Sequence, residues 1–70
     1  MQGAELKKWR ESNDWTLEDA AAYLGTTKTS VHRWEAGVYD VPQTIKILTY
    51  LLRNKRNIRS VEKFLRKDLD

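Results

Sequence analysis

Two short helix-like segments separated by a glycine, within residues 16–37, constrain the fold of this chain more than any other feature. The first segment follows Thr16, a good N-cap, and its apolar residues recur at the i, i+3, i+4, i+7 spacing of one helix face. These residues are Leu17, Ala20, Ala21 and Leu24. Gly25 follows at the position where a helix often ends in the left-handed conformation. A second helix is predicted from Thr27, another N-cap, to Gly37, so the segment predicts two helices joined by a tight turn.

Helical periodicity continues on both sides of this segment. The spacing predicts a first helix over residues 3–12. Pro42 suits the first turn of a fourth helix, which is predicted to run to about Arg53. Residues 54–57 form a polar break before a last amphipathic helix. Long alternating strand patterns and Asn-Gly or Asp-Gly hairpin turns do not occur, so the chain is predicted to be all-α, a compact bundle of about five short helices.

The 70 residues are enough for one small domain with a marginal core. We divide it into residues 1–53, which hold the first four helices, and residues 54–70, the C-terminal amphipathic helix. The apolar side chains of the fourth helix cover an arc of about 160°, which is wider than one core contact needs. They are Ile45, Ile47, Leu48, Leu51 and Leu52. The last helix is expected either to cover the spare part of this face or to pair with a second copy of the chain.

Composition removes several classes of function. Cysteine is absent, so the chain has no disulfide, no thiolate metal site and no cysteine nucleophile. The single histidine, His32, has no Ser or Asp at a spacing that indicates a catalytic triad, and no metal-ligand cluster accompanies it in the sequence. No apolar run approaches the roughly 20 residues of a membrane span, and no basic start precedes a long apolar block. We therefore expect a cytoplasmic protein with no metal, no cofactor, no membrane partner and no enzymatic activity.

Positive charge is concentrated in the second half of the chain. The net charge is +3. Residues 1–27 carry three basic and five acidic side chains, whereas residues 28–67 carry ten basic and three acidic ones. The positive region begins where the third predicted helix begins. Such a surface attracts polyanions such as nucleic acid, although charge alone fits an ordinary solvated surface equally well.

The third predicted helix has a donor-rich outward face. Within an arc of about 140° it carries Lys28, Thr29, His32, Arg33 and Ala36. Val31 and Trp34 point to the opposite side and are predicted to be core. The major groove of B-DNA is about 12 Å wide and accepts one α-helix, so the outward face is predicted to read bases. Thr27 and Ser30 flank this face and are expected to reach the phosphate backbone.

Each outward side chain has a chemical partner on DNA. Arg33 can donate two hydrogen bonds to guanine O6 and N7, and the methyl group of Thr29 can contact thymine. Lys28 can reach guanine or a phosphate. His32 is expected either to contact DNA or to be an ordinary surface residue. A single Arg or Lys on an exposed helix is usually only a solubilising charge, so the prediction depends on the whole face.

The segment from Leu6 to Leu52 resembles the Cro and phage-repressor class of helix-turn-helix domains, also called XRE-type. The matching residues are Thr16, Ala21, Leu24, Gly25, Thr27, Val31, the run Arg-Trp-Glu-Ala-Gly at 33–37, and Pro42. The resemblance implies a lambda-repressor-like fold with residues 1–53 as the DNA-binding domain. It also implies that Lys28, Thr29 and Arg33 face base edges, the same positions that the helical wheel indicates.

Two further roles are implied by the resemblance. Arg10 and Glu35 occupy the positions of a structural ion pair, so neither is expected to read bases. Members of the class often have Gln at the start of the second helix, where it touches phosphate, but this chain has Leu17 there. That contact is either missing or supplied by another residue, and the candidates are Thr16, Tyr39 and Lys46. Tyr39 is expected either to donate its hydroxyl to phosphate or to pack on the surface.

The predicted function is sequence-specific binding of double-stranded DNA by a transcriptional regulator, most often a repressor. Members of the class usually bind as homodimers to palindromic operators. The site of action would be the bacterial cytoplasm or nucleoid, or the host cytoplasm for a phage-encoded protein. Two alternatives remain open. One is an antitoxin or phage recombination-directionality factor of the same fold, with a protein partner on the C-terminal helix. The other is a helical protein-interaction module that no longer binds DNA.

Overall fold

Five α-helices form the fold in the computed structural model, which describes the backbone of residues 1–69 and the side chains of residues 1–66. They are α1 (Gly3–Ser12), α2 (Leu17–Leu24), α3 (Lys28–Glu35), α4 (Gln43–Leu51) and α5 (Lys55–Leu69). The predicted all-α bundle is confirmed. Asp70, the last residue of the segment predicted as the C-terminal helix, lies outside the described residues. Over the part that is described, no helix combines the length and the apolar character that a membrane crossing requires.

The junction between α4 and α5 differs from the prediction. α4 ends slightly earlier than expected, at Leu51, and α5 begins at Lys55, inside the predicted polar break. Asn54 causes the early start, because its side-chain oxygen accepts the backbone N–H of Arg56 at 2.8 Å. Asn57 donates its side-chain amide to the carbonyl of Leu51 at 2.7 Å. The two asparagines therefore satisfy the ends of two helices instead of interrupting one.

The first three helices end in the same kind of turn. In each turn, a residue within two positions of the helix end has a positive φ. These residues are Asp14 (58°), Gly25 (67°) and Gly37 (78°). At the end of α2 the N–H of Thr26 donates to the carbonyl of Ala21 at 2.9 Å, which is the long hydrogen bond of a Schellman motif. A left-handed conformation costs a residue with a Cβ about 1–2 kcal/mol, so glycine suits the second and third turns. The turn after α1 uses an aspartate instead.

The core is built around α2. Its buried apolar side chains are Leu6, Trp9, Ala20, Ala21, Leu24, Val31, Val41, Ile45 and Leu52. α2 packs on α3, α4 and α5, and α1 packs on α3. Val41 lies in the short loop between α3 and α4, yet it is only 5% exposed. It therefore fixes the chain where it enters α4.

The wide apolar face of α4 is divided between core and surface. Ile45 and Leu52 are buried, and Leu48 is half-buried. Ile47 and Leu51 are 51% and 47% exposed. α5 packs mainly on α2. The outer part of the α4 face is therefore not covered by the residues whose side chains are described.

The start of α1 lies against the end of α3. A Cβ on Gly3 would overlap the carbonyl oxygen of Trp34 and would lie 2.8 Å from that of Glu35. The missing side chain therefore lets the two backbones approach each other closely. Periodicity in the sequence did not reveal this contact, because the glycine precedes the first apolar residue of the helix.

Candidate nucleic-acid interface

α3 is fixed from its inner side and at its start. Val31 is fully buried and Trp34 is half-buried. Thr27 caps the helix, because its hydroxyl oxygen accepts the backbone N–H of Ser30 at 3.2 Å. The same hydroxyl donates to the Ser30 Oγ at 3.0 Å. The helix is therefore held by packing beneath it and by a cap at its first turn.

A bidentate ion pair ties the end of α3 to α1. Arg10 donates from Nε to Glu35 Oε2 at 2.7 Å and from Nη2 to Glu35 Oε1 at 2.9 Å. Its Nη1 donates to the carbonyl of Trp15 at 3.0 Å, so three parts of the chain meet at one guanidinium group. The hydrogen bond to Glu35 is the main cause that raises the pKa of Arg10. The ion pair implied by the resemblance is therefore present, with side chains only 13% and 7% exposed.

The outer face of α3 is open to solvent over its whole length. All the side chains that the helical wheel placed there are exposed, and they are Lys28, Thr29, His32, Arg33 and Ala36. The opposite side of the helix faces α1 and α2. Two cations, an imidazole and a hydroxyl thus lie on a convex surface, an arrangement that suits a grooved partner. The base-reading role of these side chains remains a prediction.

Lys28, at the start of this outer face, has an acidic neighbour on α2. Its Nζ lies 3.7 Å from Glu18 Oε1, and the two side chains are 61% and 75% exposed. Such a pair contributes little to stability because both groups remain hydrated. It does lower the positive potential at one end of the face. This neighbour could not be recognised from the sequence, because an acid in the first turn of a helix is already favoured by the helix dipole.

Arg33, near the other end of the outer face, has an aromatic neighbour. Its Cζ lies over the ring of Tyr39, 6.0 Å from the ring centroid. This distance is at the limit for a cation–π interaction, in which the guanidinium is attracted to the negative face of the ring. Tyr39 remains 59% exposed. From the sequence, Tyr39 was expected only to contact phosphate or to pack on the surface, since its loop has no periodic pattern that would place the ring.

The side chains predicted to contact phosphate lie in different settings. They are Thr16, Thr27, Ser30, Tyr39 and Lys46. Thr16 is exposed, and its hydroxyl oxygen accepts the N–H of Asp19 at 3.1 Å as part of a capping box. Thr16 and Lys28 line one groove where α2 and α3 begin. Ser30 and Lys46 are half-buried, the latter on α4. The structure therefore places Thr16 beside the donor face and Lys46 on a separate helix.

Metal ligands do not gather at this surface. Among the described residues no group of three His, Cys, Asp or Glu side chains could hold a metal ion. His32, on the outer face of α3, is exposed. The exposed side chains of this face offer hydrogen-bond donors and positive charge.

Comparison with known proteins gives one match. A family model described as helix-turn-helix matches residues 6–51, which include most of α1 and all of α2, α3 and α4. No curated protein and no solved structure matches the chain significantly. The matched region covers more than half of the chain and contains the whole outer face of α3.

Proposed function

The chain belongs to the helix-turn-helix family, in the Cro and repressor (XRE-type) class of DNA-binding regulators, and from this membership we propose that it is a sequence-specific transcriptional repressor. The observation that carries the proposal is the exposed donor face of α3 on a helix whose other side is immobilised. Val31 and the ion pair between Arg10 and Glu35 fix the inner side. Base reading needs donors at fixed positions, which a helix held in this way supplies.

The outer face of α3 enters the major groove. Arg33 donates two hydrogen bonds to O6 and N7 of a guanine, the commonest specific contact of this kind. Thr29 contacts a thymine methyl group, and Lys28 reaches a guanine or a phosphate. His32, which lies between Thr29 and Arg33 on the same face, donates to a base or a phosphate. These four residues form the base-reading set of the proposal.

Contacts to the DNA backbone set the register of the helix but carry no sequence information directly. Thr16 lies at the start of α2, and because its hydroxyl oxygen accepts the N–H of Asp19, the hydroxyl proton is the group that donates to phosphate. Thr27 and Ser30 reach phosphate at the start of α3, and Lys46 reaches it from α4. Because Leu17 replaces the glutamine common in the class, Thr16 is the residue we assign to the missing phosphate contact.

We assign the outer part of the α4 face to a homodimer contact. Ile47, Tyr50 and Leu51 follow the i, i+3, i+4 spacing of one helix stripe and are 51%, 71% and 47% exposed. A single small module buries too little surface for tight specific binding. A dimer places two reading helices about 34–36 Å apart on a palindromic operator, in the bacterial cytoplasm or nucleoid.

The dimer contact is tested by Leu51→Lys, which places a charge at the C-terminal end of the stripe. Light scattering after size-exclusion chromatography should report a monomer, and affinity for a palindromic duplex should fall while binding to a single half-site persists. Lys55→Leu, on the exposed start of α5, is the control for a change of charge nearby. A variant that remains a dimer would contradict the assignment.

One observation favours a second candidate function. Phe64 on α5 is 62% exposed, and an exposed aromatic side chain on an amphipathic helix suits a protein partner. An antitoxin or a phage recombination-directionality factor of the same fold would use such a surface. This candidate predicts that Phe64→Ser abolishes a stoichiometric complex with a co-expressed partner protein while DNA binding is retained.

Selection from random duplexes tests the main proposal. The wild-type chain should enrich one short palindromic sequence. Arg33→Ala should cost about 1–3 kcal/mol in binding and should remove the preference at one base position. Arg59→Ala takes away one exposed arginine from α5 and is the matched control, which should leave the preference unchanged.

The salt dependence of the Kd provides an independent measurement. Each phosphate contact releases counterions, so affinity should fall steeply between about 50 and 200 mM salt. If the wild-type chain enriches no sequence, and its binding to duplex DNA is weak, independent of salt and unaffected by Arg33→Ala, the protein-interaction module that has lost DNA binding is supported instead.

A further inference from the structure

We propose that Tyr39 is a positioning residue for Arg33 and thereby a determinant of sequence preference. The Arg33 guanidinium lies over the Tyr39 ring, with its Cζ 6.0 Å from the centroid. The ring holds the guanidinium toward one side of the outer face of α3 before DNA binds. This inference rests on the proposed function and concerns the same surface.

The backbone places Tyr39 beside Arg33 through the turn that ends α3. Gly37 adopts a left-handed conformation with φ 78°. The N–H of Val38 then donates to the carbonyl of Arg33 at 3.0 Å, and the N–H of Gly37 donates to that of Trp34 at 3.2 Å. These are the two hydrogen bonds of a Schellman motif. Val38, directly before Tyr39, is thus hydrogen-bonded to the backbone of Arg33.

The other side of the same loop is also fixed. Val41, two residues after Tyr39, is 5% exposed and belongs to the core. Pro42 follows it and restricts the backbone at the start of α4. The loop is therefore anchored on both sides of Tyr39, although the ring is 59% exposed. The ring borders a groove shared with Trp34 and Val41, and the guanidinium of Arg33 lies over it.

A ring in this position has a physical effect on base reading. A free arginine side chain loses rotamer freedom when it binds, and this loss opposes affinity. A guanidinium group that the ring already restricts loses less rotamer freedom on binding. Arg33 makes its two hydrogen bonds only with guanine, so the gain appears as stronger discrimination at one base position. A phenyl ring attracts a cation as a phenol ring does, so the hydroxyl group of Tyr39 is dispensable.

Tyr39→Phe and Tyr39→Leu separate this role from a phosphate contact. The ratio of Kd values is measured for the selected operator and for a duplex changed at the position read by Arg33. Tyr39→Phe should keep the wild-type ratio. Tyr39→Leu should lower it by about 2- to 5-fold, and should have no effect on it in an Arg33→Ala background. Thermal unfolding by circular dichroism checks that both variants fold.

An NMR measurement reports the contact without DNA. The Cδ protons of Arg33 should show an upfield ring-current shift in the wild type and in Tyr39→Phe, and should lose it in Tyr39→Leu. A shift that is the same in all three chains would overturn the proposal. Equal weakening of binding to every duplex in Tyr39→Phe would also overturn it, because that result identifies a hydroxyl contact to phosphate.

Different results would contradict the proposed function and the role of Tyr39. If the wild type selects no sequence and Arg33→Ala changes nothing, the proposed function fails and this inference fails with it. If Arg33→Ala behaves as proposed but Tyr39→Leu keeps full discrimination, only the role of Tyr39 is overturned.

Discussion

The inner and outer faces of α3 are held in opposite ways. On the inner side the contacts are close and buried: Glu35 receives two hydrogen bonds of 2.7 and 2.9 Å from one guanidinium group, and Val31 is fully buried. On the outer side the contacts are long and exposed, at 3.7 Å for Lys28 and 6.0 Å for Arg33. The buried contacts that stabilise the fold therefore lie on one side of the helix, and the proposed binding chemistry lies on the other.

The proposed function requires both faces of α3 in a domain of only 70 residues. Its total stability is expected to be only about 4–10 kcal/mol, by the usual scaling with chain length. A few anchors must therefore fix the reading helix, while its donors stay available to the groove. Substitutions on the inner side should change unfolding, and substitutions on the outer side should change DNA binding.

The largest expected effect is that of Glu35→Ala on the inner side. Removing one partner leaves the Arg10 guanidinium largely buried without its carboxylate, which should cost about 3 kcal/mol of unfolding free energy. Arg10→Lys should cost nearly as much, because an ammonium group cannot form the bidentate pair. Urea unfolding measures both, with the exposed Glu5→Ala as control. An unchanged midpoint in Glu35→Ala would show that the ion pair does not anchor α3.

Gly3→Ala tests the same side through packing and should have a somewhat smaller effect. Helix propensity alone predicts stabilisation, by up to about 1 kcal/mol. The structure predicts the opposite sign, because the new Cβ would overlap the carbonyl oxygen of Trp34. The backbones must then move apart, at a cost of about 1–3 kcal/mol. Thermal unfolding gives the sign, and a raised Tm would contradict the close approach of α1 and α3.

Much of this division was predictable from sequence, because local signals determine it. The helices α2 and α3 and their tight turn were predicted from local features. These features are two N-caps, the apolar stripe of α2 and the glycines at 25 and 37. The outward position of Lys28 and Arg33 followed from helical periodicity alone. The ion pair of Arg10 and Glu35 followed from the family resemblance, since residues 25 positions apart carry no local signal of contact.

The remaining features depend on tertiary arrangement or on exceptions to local rules. Val41 lies in a short loop where periodicity is undefined, so its burial was not predicted. Thr49 is fully buried although it is polar, and its hydroxyl is satisfied by the carbonyl of Lys46 at 2.8 Å. Asp14 takes a left-handed conformation that favours glycine. The neighbour of Lys28, Glu18, became visible only when α2 and α3 were placed together.

Of these substitutions, Glu18→Gln is expected to change stability least. It is also the most direct test of the outer side of α3. The pair with Lys28 is exposed, so the free energy of unfolding should change by no more than about 0.5 kcal/mol. DNA affinity should rise several-fold at low salt, because the change removes a negative charge beside the donor face and releases Lys28 for a phosphate or a base. The gain should shrink as salt increases. Glu5→Gln removes the same charge from α1 and should leave affinity nearly unchanged. If Glu18→Gln alters unfolding instead of binding, the outer contacts also hold the fold, and the two faces of α3 do not divide these roles.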